Sequence, residues 1–220
     1  MADLARDPRT ADSSAHWETV YASTGRDHVS WYEESPDTST ALVLFDGVPG
    51  SVVDVGAGTS MLPEALLDAG VDHVTLLDLS MSALALTSVR LEERANRVTT
   101  IVGDVLTHDF DERYDVWHDR AVFHFLVEPE QRAAYLGQVR RALVPGGLLV
   151  VGSFALDGPE QCSGLPVARY DTEALAAELG GAGGGFTLLD SRRVEHYTPW
   201  DAVEPFTWVV LRRGDPESGS

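Results

Sequence analysis

The 220-residue chain carries 16 basic against 35 acidic side chains, a formal charge of −19, and every basic residue is an arginine. Without lysine there is no Schiff-base or nucleophilic lysine and no phosphate-binding P-loop lysine, and so negative a chain repels nucleic-acid backbones, which leaves no nucleic-acid partner expected. Cys162 is the sole cysteine, so an internal disulfide and a cysteine-based zinc site are excluded, and no clustered ligand motif suggests another metal.

Residues 1–14 and 214–220 are small, polar and charged, which predicts flexible ends around one domain spanning 15–213. The first segment lacks the apolar core of a signal peptide and no run is long enough to span a bilayer, so a cytoplasmic protein without membrane contact is expected. Residues 15–49 form a cap segment ahead of the first strand. Short β-branched or leucine-rich runs then alternate with helical patterns, as in a sheet of parallel strands buried on both faces.

Strands are expected at Ser51 to Val55, Val74 to Leu77, Val98 to Val102, Tyr114 to Trp117 and Leu148 to Phe154. Between them lie helices near Met61 to Ala69, from Met81 onward with Leu84, Ser88, Leu91 and Ala95 on one stripe, and from Glu130 to Leu143. Ser80 is placed to cap the second of these, and Pro145-Gly146-Gly147 to end the third. A Pro/Gly-containing loop at 157–166, a helix at Thr172 to Leu179 and a glycine run at 180–185 follow. Two last strands, Phe186 to Val194 and Phe206 to Arg212, are joined by about a dozen residues and can pair antiparallel. The fold class expected is α/β, Rossmann-like: a seven-stranded, mostly parallel sheet with its last strand antiparallel and helices on both faces.

The turn after the first strand reads Asp54-Val55-Gly56-Ala57-Gly58-Thr59-Ser60. Glycines there allow a sharp turn and close approach to a ligand, and the next helix offers its amino end. The dinucleotide fingerprint G-x-G-x-x-G would need glycine at position 61, where Met61 stands, and this favours S-adenosylmethionine (SAM) over NAD. Asp78 ends the second strand where a carboxylate can bind ribose hydroxyls, and Asp104 with Val105 ends the third where they can meet adenine. Three acids at successive strand ends are expected to form one pocket.

With Leu77-Asp78-Leu79-Ser80, Gly103-Asp104-Val105, Tyr114-Asp115-Val116 and Leu143-Val144-Pro145-Gly146-Gly147-Leu148, this turn resembles the class I SAM-dependent methyltransferases, over roughly residues 50 to 154. Ser60 departs from a third glycine found in many members. The resemblance implies SAM as cofactor and S-adenosylhomocysteine (SAH) as product. It implies Gly56, Ala57 and Gly58 against the methionine part, Asp54 acting through the turn backbone or a water on the amino group, Asp78 on the ribose, Leu79 and Ser80 lining the adenosine site, and Asp104 and Val105 on adenine. Longer runs, including Ser30-Trp31-Tyr32 and Cys162-Ser163-Gly164-Leu165-Pro166, look like a bacterial subgroup without an assigned acceptor. The acceptor is left as a small molecule or a protein side chain.

Methyl transfer is an in-line displacement, so acceptor groups are sought past the fourth and fifth strands. There His118 and His124 are candidate bases, Asp119 a group that orients a base or touches the cofactor, and Arg120 a clamp for a carboxylate. Cys162, Arg169 and His196 are further acceptor candidates, and from the cap segment Tyr21, Trp31 and Tyr32, whose rings can enclose a sulfonium. Each of these also has a plain structural explanation in an ion pair, a helix cap or core packing. An NAD(P)-dependent oxidoreductase and a non-catalytic nucleoside-cofactor-binding protein stand as alternatives.

Overall fold

A computed structural model describes residues 8–23, 28–180 and 185–214. Two helices, α1 (Pro8–Ser23) and α2 (Asp37–Val43), precede the sheet. Then come β1 (Ser51–Val55), α3 (Leu62–Asp68), β2 (His73–Asp78), α4 (Met81–Arg90), β3 (Val98–Val102), β4 (Tyr114–Arg120), α5 (Pro129–Ala142) and β5 (Leu143–Phe154). A two-residue hairpin, β6 (Gln161–Cys162) and β7 (Leu165–Pro166), is followed by α6 (Thr172–Gly180), β8 (Phe186–Tyr197) and β9 (Val203–Arg213). The seven-stranded sheet has the order β3-β2-β1-β4-β5-β9-β8, in which β9 alone runs antiparallel to the parallel set.

Each central strand is apolar at nearly every position because helices cover both faces. On one face Val52, Val74, Leu76, Val116 and Val150 pack under α2, α3 and α4 through Leu42, Leu62, Leu66 and Leu84. On the other, Val53, Leu77, Trp117, Leu149 and Val151 meet α5 and α6 through Tyr135, Val139, Leu175 and Leu179. Ser80 accepts from the Ala83 amide at 3.1 Å and caps α4 as expected. Pro129 opens α5, where Gln131 Oε1 accepts from the Glu128 amide at 3.1 Å.

The structure corrects several expectations. The N-terminal segment contributes residues 8–14 to α1; residues 1–7 and 215–220 lie outside the described residues, as do 181–184 of the glycine run. α4 ends at Arg90 and a 3₁₀ turn spans Glu92–Arg97; of the expected stripe Leu84 and Leu91 are buried, while Ser88 and Ala95 are exposed. β4 continues through His118, Asp119 and Arg120, since those polar groups find partners across the sheet edge. α5 stops at Ala142, so Pro145-Gly146-Gly147 lie inside a β5 that begins irregularly, not at the helix end. Residues 198–202 alone separate β8 from β9, not a dozen. Among the described residues no helix is long and apolar enough to cross a membrane, and no group of three or more His, Cys, Asp or Glu is arranged to hold a metal ion.

Candidate active site

The turn leaving β1 is held from β2. The Gly56 and Ala57 amides donate to Leu77 O at 2.7 and 3.2 Å, and the Gly58 amide donates to Asp78 Oδ2 at 2.8 Å. Asp78 Oδ1 accepts from the Ser80 amide at 2.7 Å, so one carboxylate ties the glycine turn to the start of α4. Burial pushes the Asp78 carboxyl up to about 6, against the pull of the two N–H donors. Gly56 and Gly58 have φ of +67° and +51°, the left-handed region where a side chain is strained. A Cβ on Gly56 would lie 2.1 Å from Val122 Cγ2, and one on Gly58 would lie 2.2 Å from Tyr21 Oη.

That tyrosine comes from α1, which lies across the turn. Ser14 Oγ donates to Leu79 O at 3.2 Å, and Glu18 Oε1 accepts from the Ser82 amide at 3.2 Å. Trp17, Tyr21, Trp31 and Phe125 pack edge to face or tilted, with ring centroids 5.3 to 6.4 Å apart. This cluster fastens the cap segment to the carboxyl edge of the sheet.

Beneath it lies a cavity of about 50 Å³ lined by Tyr21, Trp31, Tyr32, Glu33, Ser39, Asp54, Gly56, Ala57, His118 and Arg120, among others. β1 and β4 are adjacent, with Asp54 opposite His118, and His118 Nδ1 lies 2.8 Å from Asp54 Oδ1. The other ring nitrogen, Nε2, lies 3.0 Å from Ser39 Oγ of α2. All three side chains are buried, which makes a hydrogen-bonded Ser–His–Asp chain whose outer oxygen belongs to Ser39. Two residues along β4, Arg120 Nη1 donates to Trp31 O at 2.8 Å, and the guanidinium lies over Phe206 at 5.0 Å. Glu33 Oε1 is 3.3 Å from Arg120 Nη2 and 3.5 Å from His196 Nδ1. Burial raises the Glu33 carboxyl, but the His196 hydrogen bond and the Arg120 charge outweigh it and hold it below its ordinary value.

The cavity thus gathers Tyr21, Trp31, Tyr32, Asp54, Gly56, Ala57, His118 and Arg120 from the predicted set. It does not gather the three strand-end acids into one pocket. Asp78, Leu79, Ser80, Asp104 and Val105 stand at the expected strand ends but outside its lining, and Asp104 Oδ1 accepts from the Leu106 amide at 2.8 Å. Asp119 points to the opposite face. There it accepts from the Val122 and Phe123 amides and from Tyr135 Oη at 2.7 Å, and burial pushes it up to about 6. His124 is buried between Phe125 and Phe154, has no hydrogen-bond partner on either nitrogen, and is pushed down to about 3 by desolvation. A base so weak, away from the cavity lining, is a core histidine.

Cys162 is buried at the start of the β6–β7 turn and kept a thiol, its pKa raised by burial to about 12. Arg169 is spent on Gly158 O and Glu160 within its own loop, and His196 braces Glu33 and donates from Nε2–H to Ser30 O, 2.5 Å away. Sequence reasoning missed Ser39 and Glu33. The mixture of acid and aromatic residues at 31–34 was the available signal for Glu33; Ser39 had none.

A glycine turn at the tip of β1, acids at the tips of β1, β2 and β3, and one antiparallel strand define a nucleotide-type site on a Rossmann-like sheet. Residues 52–147 match the family described as "Methyltransferase domain". Among solved structures, the fold is similar to Burkholderia thailandensis 1,6-didemethyltoxoflavin-N1-methyltransferase with bound 1,6-didemethyltoxoflavin and SAH. The TM-score is 0.75 at 24% identity, covering 98% of this chain and 93% of that one. It is also similar to N-methyltransferase NodS from Bradyrhizobium japonicum WM9 in complex with SAH, at TM-score 0.68 and 18% identity, over 94% and 99% of the two chains. A curated relative, the eEF1A lysine and N-terminal methyltransferase of Danio rerio, is 27% identical over 150 residues, 65% of this chain. The matched region spans only 22% of that relative's length.

Proposed function

We propose that the protein transfers a methyl group from SAM to a small molecule or a protein side chain in the cytoplasm. The observation that carries this reading is the cavity under the cap segment, where the Gly56-Ala57 turn, the Asp54 and Glu33 carboxylates and the Tyr21 and Trp31 rings converge. Carboxylates and ring faces suit a ligand bearing an ammonium and a sulfonium. Bound SAM would supply an electrophilic methyl carbon. Gly56, Ala57 and Gly58 would hold its methionine part, Asp54 its ammonium, Asp78 the ribose, and Asp104 with Val105 the adenine.

The protein's own part in the transfer is to hold the acceptor in line and take its proton. His118 is already engaged at both ring nitrogens, so it acts through Ser39. The acceptor's proton passes to Ser39 Oγ as the Ser39 hydroxyl proton moves to His118 Nε2, and Asp54 stabilises the imidazolium. Two of the similar structures are named as N-methyltransferases and the curated relative as a lysine and N-terminal methyltransferase, which makes N–H the first acceptor class to test.

Calorimetry with SAM, SAH and NAD tests the cofactor assignment. SAM and SAH are expected to bind and NAD not to; binding of NAD alone would favour an oxidoreductase. Asp78→Ala is expected to weaken SAM binding at least tenfold, about 1.4 kcal/mol. A labelled-methyl screen of metabolites and proteins identifies the acceptor.

A further inference from the structure

The cavity holds one permanently cationic side chain, Arg120, and its guanidinium is incompletely satisfied. Nη1 has the Trp31 carbonyl, and the plane rests on Phe206. Nη2 is buried and makes no hydrogen bond; Glu33 lies within ion-pairing distance, but not with hydrogen-bond geometry. A buried N–H without an acceptor is a standing cost that an arriving anion removes. Across the cavity is Asp54, an anion. Because Asp54 pairs with His118 and Arg120 lies two residues further along β4, the two positions are offset by ~6.6 Å along the strand and ~4.8 Å across it. The Gly56-Ala57 turn lines the space they share.

A carboxylate and a guanidinium facing one small cavity are complementary to a group carrying an ammonium and a carboxylate on one carbon. Resting on the SAM reading above, we infer that Arg120 is the anchor for the carboxylate of the cofactor's amino-acid end, with Asp54 on its ammonium. This replaces the sequence expectation that Arg120 clamps an anionic acceptor. On binding, the carboxylate takes the Nη2 hydrogen bond that Glu33 leaves open, and Glu33 stays paired with His196.

The test compares SAM with decarboxylated SAM, which keeps the ammonium, sulfonium and adenosine, by calorimetry on the full chain. Wild-type protein is expected to bind SAM at least tenfold more tightly than the decarboxylated compound. Arg120→Met is expected to bind both equally, at the weaker affinity, while Arg120→Lys keeps part of the preference. A wild-type protein that binds the two compounds alike overturns the inference while leaving the cofactor reading intact, and needs no variant to fold. Arg120→Met retaining the full preference for SAM also overturns it. A wild-type protein that binds neither compound overturns the cofactor reading and this inference with it.

Discussion

The hydrogen-bonded run Trp117–Tyr135–Asp119 offers a sharp test of how the buried polar groups behind the site are held. Tyr135 is fully buried; its hydroxyl accepts from Trp117 Nε1 at 2.9 Å and donates to Asp119 Oδ2 at 2.7 Å. Tyr135→Phe removes one oxygen, strands the indole N–H and takes from Asp119 Oδ2 one of its two donors, leaving it the Phe123 amide at 3.1 Å. At about 1–3 kcal/mol for the stranded indole N–H and about 1.5–3 kcal/mol for the lost hydrogen bond to the carboxylate, the expected loss is about 2.5–6 kcal/mol at pH 8. The pH dependence follows from Asp119, whose folded pKa, raised by burial to about 6, exceeds the 3.8 of an unperturbed aspartate. A raised folded pKa means stability that is full below the unfolded value and lost as pH rises through the folded one. Without the tyrosine donor the folded pKa rises further, so the variant loses more over that window. Urea melts of wild type and Tyr135→Phe at pH 8 and at pH 4.5 measure both effects. A loss below 1 kcal/mol at pH 8, or a larger loss at pH 4.5 than at pH 8, would refute the reasoning.

Gly56→Ala places a Cβ at a φ of +67° and 2.1 Å from Val122 Cγ2; thermal melts are expected to show a loss of about 1–3 kcal/mol, which Val122→Ala relieves only in part because the dihedral strain stays. Gly152→Ala drives a Cβ to 2.7 Å from the Trp208 ring, itself stacked on His118, so about 1–3 kcal/mol of overpacking should appear in melts. An unchanged midpoint would show that the ring yields freely. Ser39→Ala and His118→Gln should each slow methyl transfer to an N–H acceptor by roughly 10²-fold or more while SAH affinity, read by calorimetry, stays within about threefold; equal loss of both would point to a collapsed site. Cys162, held a thiol by burial, should resist iodoacetamide at pH 7.5 in the folded protein and react readily in urea, as mass spectrometry would record.

The parts of the fold that the sequence made legible are those in which local pattern and burial coincide. Val52 and Val53 in β1, Leu76 and Leu77 in β2 and Leu149 to Val151 in β5 are buried side by side, so an unbroken apolar run announces each strand. β4 outruns its apolar run because His118, Asp119 and Arg120 find hydrogen-bond partners in Asp54, Ser39, Tyr135 and Trp31, which lie 16 to 89 positions away. No local rule contains those partners. The same distance effect separates the two histidines. His118 and His124 look alike in sequence, yet one meets a carboxylate and a hydroxyl and the other only phenyl rings. Asp78 was placed correctly at its strand tip, but its grip on the Gly58 and Ser80 amides appears only once the turn is folded. Ser39 and Glu33 reach the cavity from the cap segment, where the residue pattern carried no strand or motif to fix their position.

The position of β9 also bears on how the chain must be made. β9 lies between β5 and β8, so the inner edge of β5, apolar from Leu148 to Val151, finds its hydrogen-bond partners only in residues 206–212. During synthesis the half bearing the glycine turn therefore emerges with a bare strand edge that stays open until almost the last described residue is available. A fragment cut at the end of the 52–147 match would lack most of β5 as well as β9. Shortening the chain within β9 should yield sticky, aggregating material instead of a smaller working unit.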